Sequence, residues 1–324
     1  MENSEDILFP GEKLPPRLPV VTHYAGTEQR IRKALALQQE MGPVFDITCD
    51  CEDGAPVGAE TEHATMCAIL IADAENRFNR VGARIHDITH PHWRQDLDIL
   101  LSRAGKKLPF ITLPKPRSAE DVRRFLQVLR EKEYAYGLAG NIPAHVLIET
   151  HGALREVWQI AALEGVESLD FGLMDFVSDH GGAIPASAMQ SPGQFTHPLI
   201  VRAKCEIAAA ALACGVVPTH NVSTELADTD SILNDARRAR REFGFLRMWS
   251  IHPNQIRPIL EAMRPDFSEV ETAAAILAAA RAADWGPIRY AGKLHDRASY
   301  RYYWQLLRYA QSTGMTLPET GCGF

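Results

Sequence analysis

Ionisable side chains follow most of the short apolar runs in this chain of 324 residues. There are eight such runs, and the polar residues at or near their ends are His23, Asp50 to Asp53, Arg84, Lys115, Glu149, Asp175, His220 with Asn221, and His252. Carboxylates, guanidinium groups and imidazoles are the side chains that bind cations, hold anionic substrates and transfer protons. This distribution indicates an enzyme whose chemistry takes place at strand ends.

The elements that must position these side chains are strands that alternate with helices. Continuous apolar runs bounded by helical stretches indicate strands buried on both faces, as in a parallel sheet. Helical patterns fill the gaps, over roughly residues 27–41, 58–79, 93–105, 118–134, 151–164, 197–213, 229–242 and 254–263. Ser118 with Asp121 predicts a capped helix start. Eight strand–helix units predict an α/β fold, the (β/α)8 TIM barrel, whose functional residues lie at the carboxyl ends of the strands.

The pattern changes after residue 265, where an Ala-rich helix is followed by a break at Gly286-Pro287 and an aromatic helix. We therefore predict a catalytic barrel domain over residues 1–265 and a C-terminal helical extension over residues 266–324. The extension is expected to cap an active site as a lid, either in its own barrel or in a neighbouring subunit. Docking on the outer barrel wall is the alternative.

Composition excludes several classes of function. The formal net charge of −7 gives no electrostatic case for binding nucleic acid or an anionic membrane surface. No apolar stretch approaches the roughly 20 residues that span a bilayer. The acidic N-terminal segment lacks the apolar core of a signal peptide, so we expect a cytoplasmic protein.

The cysteines do not form a recognised metal or redox motif. The spacing of Cys49 and Cys51 leaves a redox pair or a soft-metal site open, but reduced thiols in a cytosolic core are favoured. All six cysteines are Cys49, Cys51, Cys67, Cys205, Cys214 and Cys322.

The histidines give weaker signals. His86, His90 and His92 leave a three-histidine zinc site open, but Pro91 and the irregular spacing favour ordinary loop histidines. His252 is either a base or a turn former, and the proline after it favours the structural role.

Glu149 and Asp175 follow two consecutive predicted strands, so they should converge on one pocket. Two carboxylates together with substrate oxygens and water suit Mg²⁺. A structural ion pair or a helix cap is the alternative for either acid. The pair, with an arginine across the barrel, favours the metal.

Arg84 ends a strand in the predicted barrel mouth, where its guanidinium suits bidentate capture of a substrate carboxylate. Pairing with Asp50, Glu52 or Asp53 is the alternative, and both roles are compatible. Three acids within four residues repel one another, so we expect Arg84, Lys115 or the metal to neutralise them.

Six segments, in this order, resemble the citrate lyase beta-subunit-like family, which includes malyl-CoA lyases, within the HpcH/HpaI aldolase superfamily. They are DCEDGA at 50–55, ARIHD at 83–87, LPK at 113–115, IET at 148–150, FGLMD at 171–175 and IHPNQ at 251–255. The resemblance covers roughly residues 18–310. It departs from the family at His86, where an asparagine is common, and at the segments HYAGTEQ (23–29), THN (219–221) and RMWS (247–250).

The resemblance implies a TIM barrel that binds Mg²⁺ through Glu149 and Asp175. It implies that Arg84 holds the substrate carboxylate and that Glu149 also lies against the substrate. Lys33 resembles a lysine that faces the phosphates of a CoA thioester. A homo-oligomer, trimer or hexamer, is expected from the same resemblance.

The resemblance also suggests the acid and base groups. Asp296, in the segment GKLHD at 292–296, matches the lid aspartate that reaches a neighbouring active site. Glu52 and Asp53 match acidic residues near the metal and are the other catalytic candidates.

The activity that follows is Mg²⁺-dependent cleavage or formation of a carbon–carbon bond in a 2-oxo or 2-hydroxy acid, as a CoA thioester such as malyl-CoA, citramalyl-CoA or citryl-CoA. A Schiff base on Lys115 is disfavoured because the metal makes it redundant. Two alternatives stay open: an acyl-CoA thioester hydrolase on the same scaffold, and a lyase-complex subunit that needs an acyl-carrier partner.

Overall fold

The computed structural model describes residues 4–138 and 140–321. Parallel strands close into one barrel, in the order in which they occur along the chain. They are β1 (Val21–Ala25), β2 (Phe45–Asp50), β3 (Val81–Arg84), β4 (Ile111–Leu113), β5 (Ala144–Ile148), β6 (Val166–Phe171), β7 (Val217–His220) and β8 (Arg247–Ser250). The predicted (β/α)8 TIM barrel is therefore confirmed.

Helices connect the strands and cover the outside of the barrel. They are α1 (Ser4–Leu8), α2 (Glu28–Met41), α3 (Glu60–Ala72), α4 (Trp93–Ala104), α5 (Ala119–Ala135), α6 (His151–Arg155), α7 (Val157–Ala161), α8 (Leu173–Asp179), α9 (Pro198–Ala213), α10 (Thr229–Phe243), α11 (Pro253–Met263), α12 (Phe267–Ala282) and α13 (Arg297–Ser312). The single helix expected over 151–164 is instead α6 and α7, because Glu156 leaves helical geometry and accepts a hydrogen bond from the Ala119 amide at 2.8 Å.

Side-chain caps begin several helices just beyond the carboxyl ends of the strands. Ser118 Oγ accepts from the Asp121 amide at 3.2 Å at the start of α5, as predicted. Thr150 Oγ1 accepts from the Ala153 amide at 3.0 Å at the start of α6. Because a cap satisfies amides that lack a partner in the first helical turn, these residues hold the loops that carry the ionisable side chains.

The interior of the barrel is more polar than a run of apolar residues suggests. Arg247 forms a fully buried ion pair with Asp46. The sequence places His23 at a strand end, but β1 continues to Ala25, so His23 lies inside the barrel and contacts Ser250 Oγ at 2.9 Å. Burial, followed by the charge of His252, lowers the pKa of His23 to about 4. His23 is therefore a neutral packing residue.

The C-terminal extension forms its own apolar cluster with the N-terminal helix. Tyr300 and Trp304 of α13 pack with residues of α12 and with Leu8 and Phe9. A two-stranded antiparallel ribbon, β9 (Ile288–Tyr290) and β10 (Lys293–His295), joins α12 to α13. The hydroxyl of Tyr309, near the end of α13, donates to the carbonyl of Leu246 at 3.3 Å, at the amino end of β8. Over the described ranges, no helix is both long and apolar enough to cross a lipid bilayer.

Candidate active site

Glu149 and Asp175 lie beyond the ends of two paired strands. The last residues of β5 and β6, Ile148 and Phe171, are register partners. Glu149 is the next residue after β5, and Asp175 lies in the first turn of α8. Both line an open cavity of about 550 Å³ at the carboxyl end of the barrel. The structure therefore brings together the two acids that the sequence predicts as metal ligands.

Gly172 provides the space that Glu149 occupies. A Cβ atom at this position would lie 2.0 Å from Glu149 Oε2. The other carboxylate oxygen, Oε1, accepts a hydrogen bond from the backbone amide of Lys115 at 2.8 Å. Backbone groups from two neighbouring loops therefore set the direction of the Glu149 side chain.

The electrostatics of Glu149 suit a bound cation. Its side chain is buried, and burial followed by the negative charge of Asp175 raises its pKa to about 8. Among residues 4–138 and 140–321 it forms no ion pair within 4.0 Å. A divalent cation would offset this cost, because it stabilises the ionised form of both carboxylates. The oxygen donors present fit Mg²⁺.

Arg84 is held by the acidic run that follows β2. Its Nε donates to Asp50 Oδ1 at 2.8 Å and one Nη donates to Asp50 Oδ2 at 2.6 Å, so the pair is bidentate. The other Nη lies 2.8 Å from Glu52 Oε2. Burial opposes ionisation of Asp50, but Arg84 and the backbone amides of Glu52 and Gly54 together outweigh it, and the pKa of Asp50 is lowered. The pairing of Arg84 with its own chain, given above as an alternative, is what this structure contains.

Lys115 joins the acidic run to the predicted metal ligands. Its Nζ lies 2.6 Å from Glu52 Oε1, 2.9 Å from Asp53 Oδ2 and 3.7 Å from Asp175 Oδ1. Burial lowers the pKa of Lys115, but Glu52, Asp53 and Asp175 together outweigh it and the pKa is raised. Lys115 is therefore a charged ammonium group. This state opposes Schiff-base chemistry, which requires a neutral amine.

An aromatic pair beside Arg84 was not anticipated from the sequence. Tyr24 stacks on Trp249 with ring centroids 4.5 Å apart, and the Arg84 guanidinium lies 5.4 Å from the Tyr24 ring centroid. The sequence does contain a signal for this pair, because a closed barrel places the first strand beside the eighth, and each carries an aromatic residue near its end.

The loop histidines after β3 stack instead of converging. The rings of His86 and His90 are 4.1 Å apart and nearly parallel, and His86 Nδ1 lies 2.7 Å from Asp96 Oδ2. His92 lies at the edge of this stack, 5.6 Å from His90. His252 caps α11, since its Nδ1 accepts from the Asn254 amide at 3.2 Å. The structural role favoured for His252 is therefore the one observed.

Two residues named by the resemblance form no contact with this cluster among the described residues. Lys33 is exposed on α2. Asp296 is the N-cap of α13, and its carboxylate accepts from the amides of Ala298 and Ser299 at 3.1 and 3.4 Å. The roles given to both residues remain predictions.

Cys49 on β2 and Cys51 just after it are buried thiols. Cys51, His63 and Cys67 place one potential ligand atom each within 4.8 Å of one another. His63 Nε2 also contacts the backbone carbonyl of Asp50 at 2.8 Å, and the side chain of Asp50 pairs with Arg84. The described cysteines, including Cys49, are free thiols, as expected, and Cys322 lies outside the described residues.

Comparison with known proteins agrees with this geometry. The profile of the HpcH/HpaI aldolase/citrate lyase family matches residues 47–253. A crystal structure described as a citrate lyase from Burkholderia xenovorans LB400 is 55% identical, with a TM-score of 0.87, and the match covers 95% of this chain and 96% of that one. The L-malyl-CoA/beta-methylmalyl-CoA lyase of Cereibacter sphaeroides is 29% identical over 244 residues, 71% of this chain and 76% of the relative.

A more distant structure shares the fold. The protein CitE from Mycobacterium tuberculosis, in complex with magnesium, acetoacetate and coenzyme A, is 22% identical with a TM-score of 0.69, over 91% of this chain and all of that one. The family profile spans well over half of the chain and includes five of the six motif segments in full. The chain belongs to the HpcH/HpaI aldolase/citrate lyase family, as its motifs predict, and is a carbon–carbon lyase.

Proposed function

We propose that this lyase acts on a 2-hydroxy or 2-oxo acid carried as a CoA thioester, with Mg²⁺ held by Glu149 and Asp175. The observation that carries the proposal is the buried Glu149 carboxyl beside Asp175, with no ion pair of its own among the described residues. When bound, Mg²⁺ would supply a Lewis acid for the oxygens of the acid. The magnesium complex of CitE supports this choice of metal for the fold.

Arg84 would orient the substrate carboxylate. An arginine has five N–H groups, and hydrogen bonds to Asp50 use two of those on Arg84. The Nη that lies 2.8 Å from Glu52 Oε2 forms an ion pair without a hydrogen bond, so each Nη keeps at least one N–H for an end-on substrate carboxylate. Asp50 and Glu52 keep the guanidinium plane fixed, and a guanidinium fixed before binding costs less entropy to use.

Proton transfer would complete the reaction. In cleavage, a base takes the hydroxyl proton, the carbon–carbon bond breaks, and its electron pair remains on the thioester fragment as an enolate. An acid then protonates the enolate carbon, and condensation is the reverse. Asp296 is the first candidate for the group that transfers this proton, and Glu52 or Asp53 is the second. The Lys115 ammonium would stabilise negative charge that develops nearby.

The relatives guide the choice of thioester. The L-malyl-CoA/beta-methylmalyl-CoA lyase supports a malyl-type thioester. The relative named mitochondrial citramalyl-CoA lyase, from Rattus norvegicus, is 24% identical over 277 residues. Lys33, exposed on α2, is the candidate contact for the CoA phosphates.

A substrate panel tests the proposal. The purified chain is incubated alone with malyl-CoA, citramalyl-CoA or citryl-CoA and Mg²⁺, and release of a 2-oxo acid is followed. Turnover by the chain alone supports the proposal. No turnover of any of the three thioesters until an acyl-carrier protein is added would favour a subunit of a larger lyase complex and contradict the proposal.

A further inference from the structure

A second cavity lies at the end of the barrel opposite Glu149. It has a volume of about 330 Å³ and is bounded by α13, by the segment before β1 and by the turn before β8. Phe245 and Leu246, which line it, precede the first residue of β8, and Arg17 precedes the first residue of β1. The cavity therefore opens at the amino ends of the strands and shares no lining residue with the active-site cavity.

The cavity concentrates positive charge in a protein whose net charge is −7. Its lining includes arginines from the segment before β1, from α10 and from α13, namely Arg17, Arg240, Arg301 and Arg308. Of these, Arg301 forms an ion pair with Glu12. No aspartate, glutamate, lysine or histidine lines the cavity among the described residues.

The other three arginines are only weakly neutralised. Arg17 donates to the neutral amide oxygen of Gln311 at 2.7 Å, and Arg240 donates to the backbone carbonyl of Arg264 at 2.7 Å. Arg308 lies 3.7 Å from a Glu5 carboxylate oxygen, at the long end of an ion pair. Burial, followed by the charge of Arg17, lowers the pKa of Arg308, as expected where like charges share a poorly hydrated space.

Apolar and aromatic side chains form the rest of the wall. Phe245 is fully buried and Leu306 nearly so. The guanidinium groups are held against rings: Arg240 lies 5.2 Å from the Tyr309 centroid, and Arg308 lies 4.6 Å from the Trp304 centroid. Such contacts orient an arginine without neutralising it.

We propose that this cavity binds a small organic anion, in which a phosphate or carboxylate group is attached to an apolar or aromatic body. Its volume lies within the range of small-molecule sites, which combine apolar walls with a few convergent polar groups. Guanidinium groups match the oxygen geometry of phosphate and carboxylate. A concave surface of one charge also attracts such ligands from solution. The ligand would bind away from the chemistry, in the position of an effector.

Calorimetric titration of the full-length protein tests the proposal with three probes: phenyl phosphate, phthalate and inorganic phosphate. Phenyl phosphate should bind at least tenfold more tightly than inorganic phosphate, because its ring leaves water for the apolar wall. Comparison with phthalate distinguishes a phosphate ester from a carboxylate as the preferred anion, and preference for either supports the site.

Variants locate the binding. Arg17→Gln and Arg308→Gln should each weaken phenyl phosphate binding at least tenfold. Arg123→Gln, on the exposed face of α5, and Arg84→Lys, at the opposite end of the barrel, should leave it unchanged. Circular dichroism and thermal unfolding check that each variant is folded.

Four results would overturn the proposal. These are no binding by the wild-type protein up to about 10 mM, equal binding of phenyl phosphate and inorganic phosphate, loss of binding in Arg84→Lys, or full binding in both cavity variants. If Arg17→Gln or Arg308→Gln changes the oligomeric state while the wild type binds no probe, the cavity is an interface between copies and the proposal is wrong.

Discussion

Arg84 has two sets of partners to satisfy, its own acidic run and, by our proposal, the substrate carboxylate. A lysine in its place would keep one positive charge but could not bond Asp50 in a bidentate manner and also contact Glu52. Arg84→Lys should therefore lower kcat/KM at least about 30-fold, the lower end of the 2–5 kcal/mol cost of disrupting a buried charged pair.

Arg80→Lys is the matched control. Arg80 is the residue just before the amino end of β3, whereas Arg84 is at its carboxyl end, and Arg80 lies 3.7 Å from Asp46. This variant should retain near-normal turnover. Near-normal kcat/KM in Arg84→Lys would exclude the proposed role of the guanidinium.

His86 should make the stability of the protein depend on pH. Burial is the largest single influence and opposes its protonation, but the hydrogen bond and charge of Asp96, together with the charges of Glu52 and Glu60, outweigh it and raise the pKa of His86 above its usual 6.5. A raised folded-state pKa means that this stabilisation is complete below pH 6.5 and is lost as the pH rises through the raised value. The free energy of unfolding should therefore fall over this window.

Urea unfolding of the wild type, His86→Asn and Asp96→Asn from about pH 6 to about pH 9 measures the effect. Both variants should show a flatter dependence in this range. The same slope in all three proteins would show that the His86–Asp96 pair is not its source.

Residue identities at the site, and the pairing of Arg84 and Lys115 with the acidic run, could be predicted from the sequence, but the geometry of these pairs could not. Glu149 and Asp175 follow strands and Arg84 ends one, and the carboxyl ends of parallel strands meet at one end of a barrel, so the sequence predicts that the three share a site. The bonds of Lys115 to both Glu52 and Asp53 depend on its left-handed backbone, with φ of 48°. Such a conformation is set by the surrounding loops, and the lysine itself gives no sequence signal for it.

At the scale of the elements, glycines set how closely the loops approach the ionisable groups. Gly172 is the N-cap of α8, and a Cβ there would lie 2.0 Å from Glu149 Oε2. Gly172→Ala should therefore displace the Glu149 carboxylate while keeping every predicted metal ligand. The affinity for Mg²⁺ should fall at least about tenfold, or roughly 1.4 kcal/mol.

Gly140→Ala is the control, since a Cβ at Gly140 meets no atom of the described residues within 4 Å. Calorimetric titration with Mg²⁺ compares the two variants with the wild type. Wild-type affinity in Gly172→Ala would mean that the position of Glu149 does not govern metal binding.

The order of strands and helices followed from the sequence, but several element boundaries and the polar interior of the barrel did not. Apolar runs identified each strand, but β1 extends beyond His23 because Tyr24 and Ala25 are also buried in the barrel. The polar interior, with Arg247 paired to Asp46, was missed because an ion pair between residues 201 positions apart leaves no local pattern.

At the scale of the whole molecule, the extension packs on its own N-terminal helix and on the amino end of the barrel. The aromatic run was expected to dock on a surface, and Tyr300 and Trp304 do so, while Tyr302 stays 61% exposed. Asp296, at the start of α13, binds only its own helix among the described contacts. If it acts as the lid acid, we expect it to do so in a neighbouring subunit of an oligomer.

Mixing inactive chains tests subunit exchange. Asp296→Asn and Arg84→Ala chains should each be inactive, and some activity should return when they form mixed oligomers, because one shared site then carries neither lesion. Native mass spectrometry verifies that mixed oligomers are present. If they are present and inactive, Asp296 does not serve a neighbouring site.

The central claim, magnesium-dependent carbon–carbon cleavage at Glu149, is tested most directly by the products formed from malyl-CoA. Metal-free wild type, Glu149→Gln and the control Glu167→Gln, on the adjacent strand β6, are analysed by mass spectrometry with and without Mg²⁺. We predict that the wild type and Glu167→Gln release a shorter acyl-CoA and a 2-oxo acid only when Mg²⁺ is added, and that Glu149→Gln does not at the same concentration. Free CoA with the intact hydroxy acid, or unchanged cleavage in excess chelator, would contradict the account.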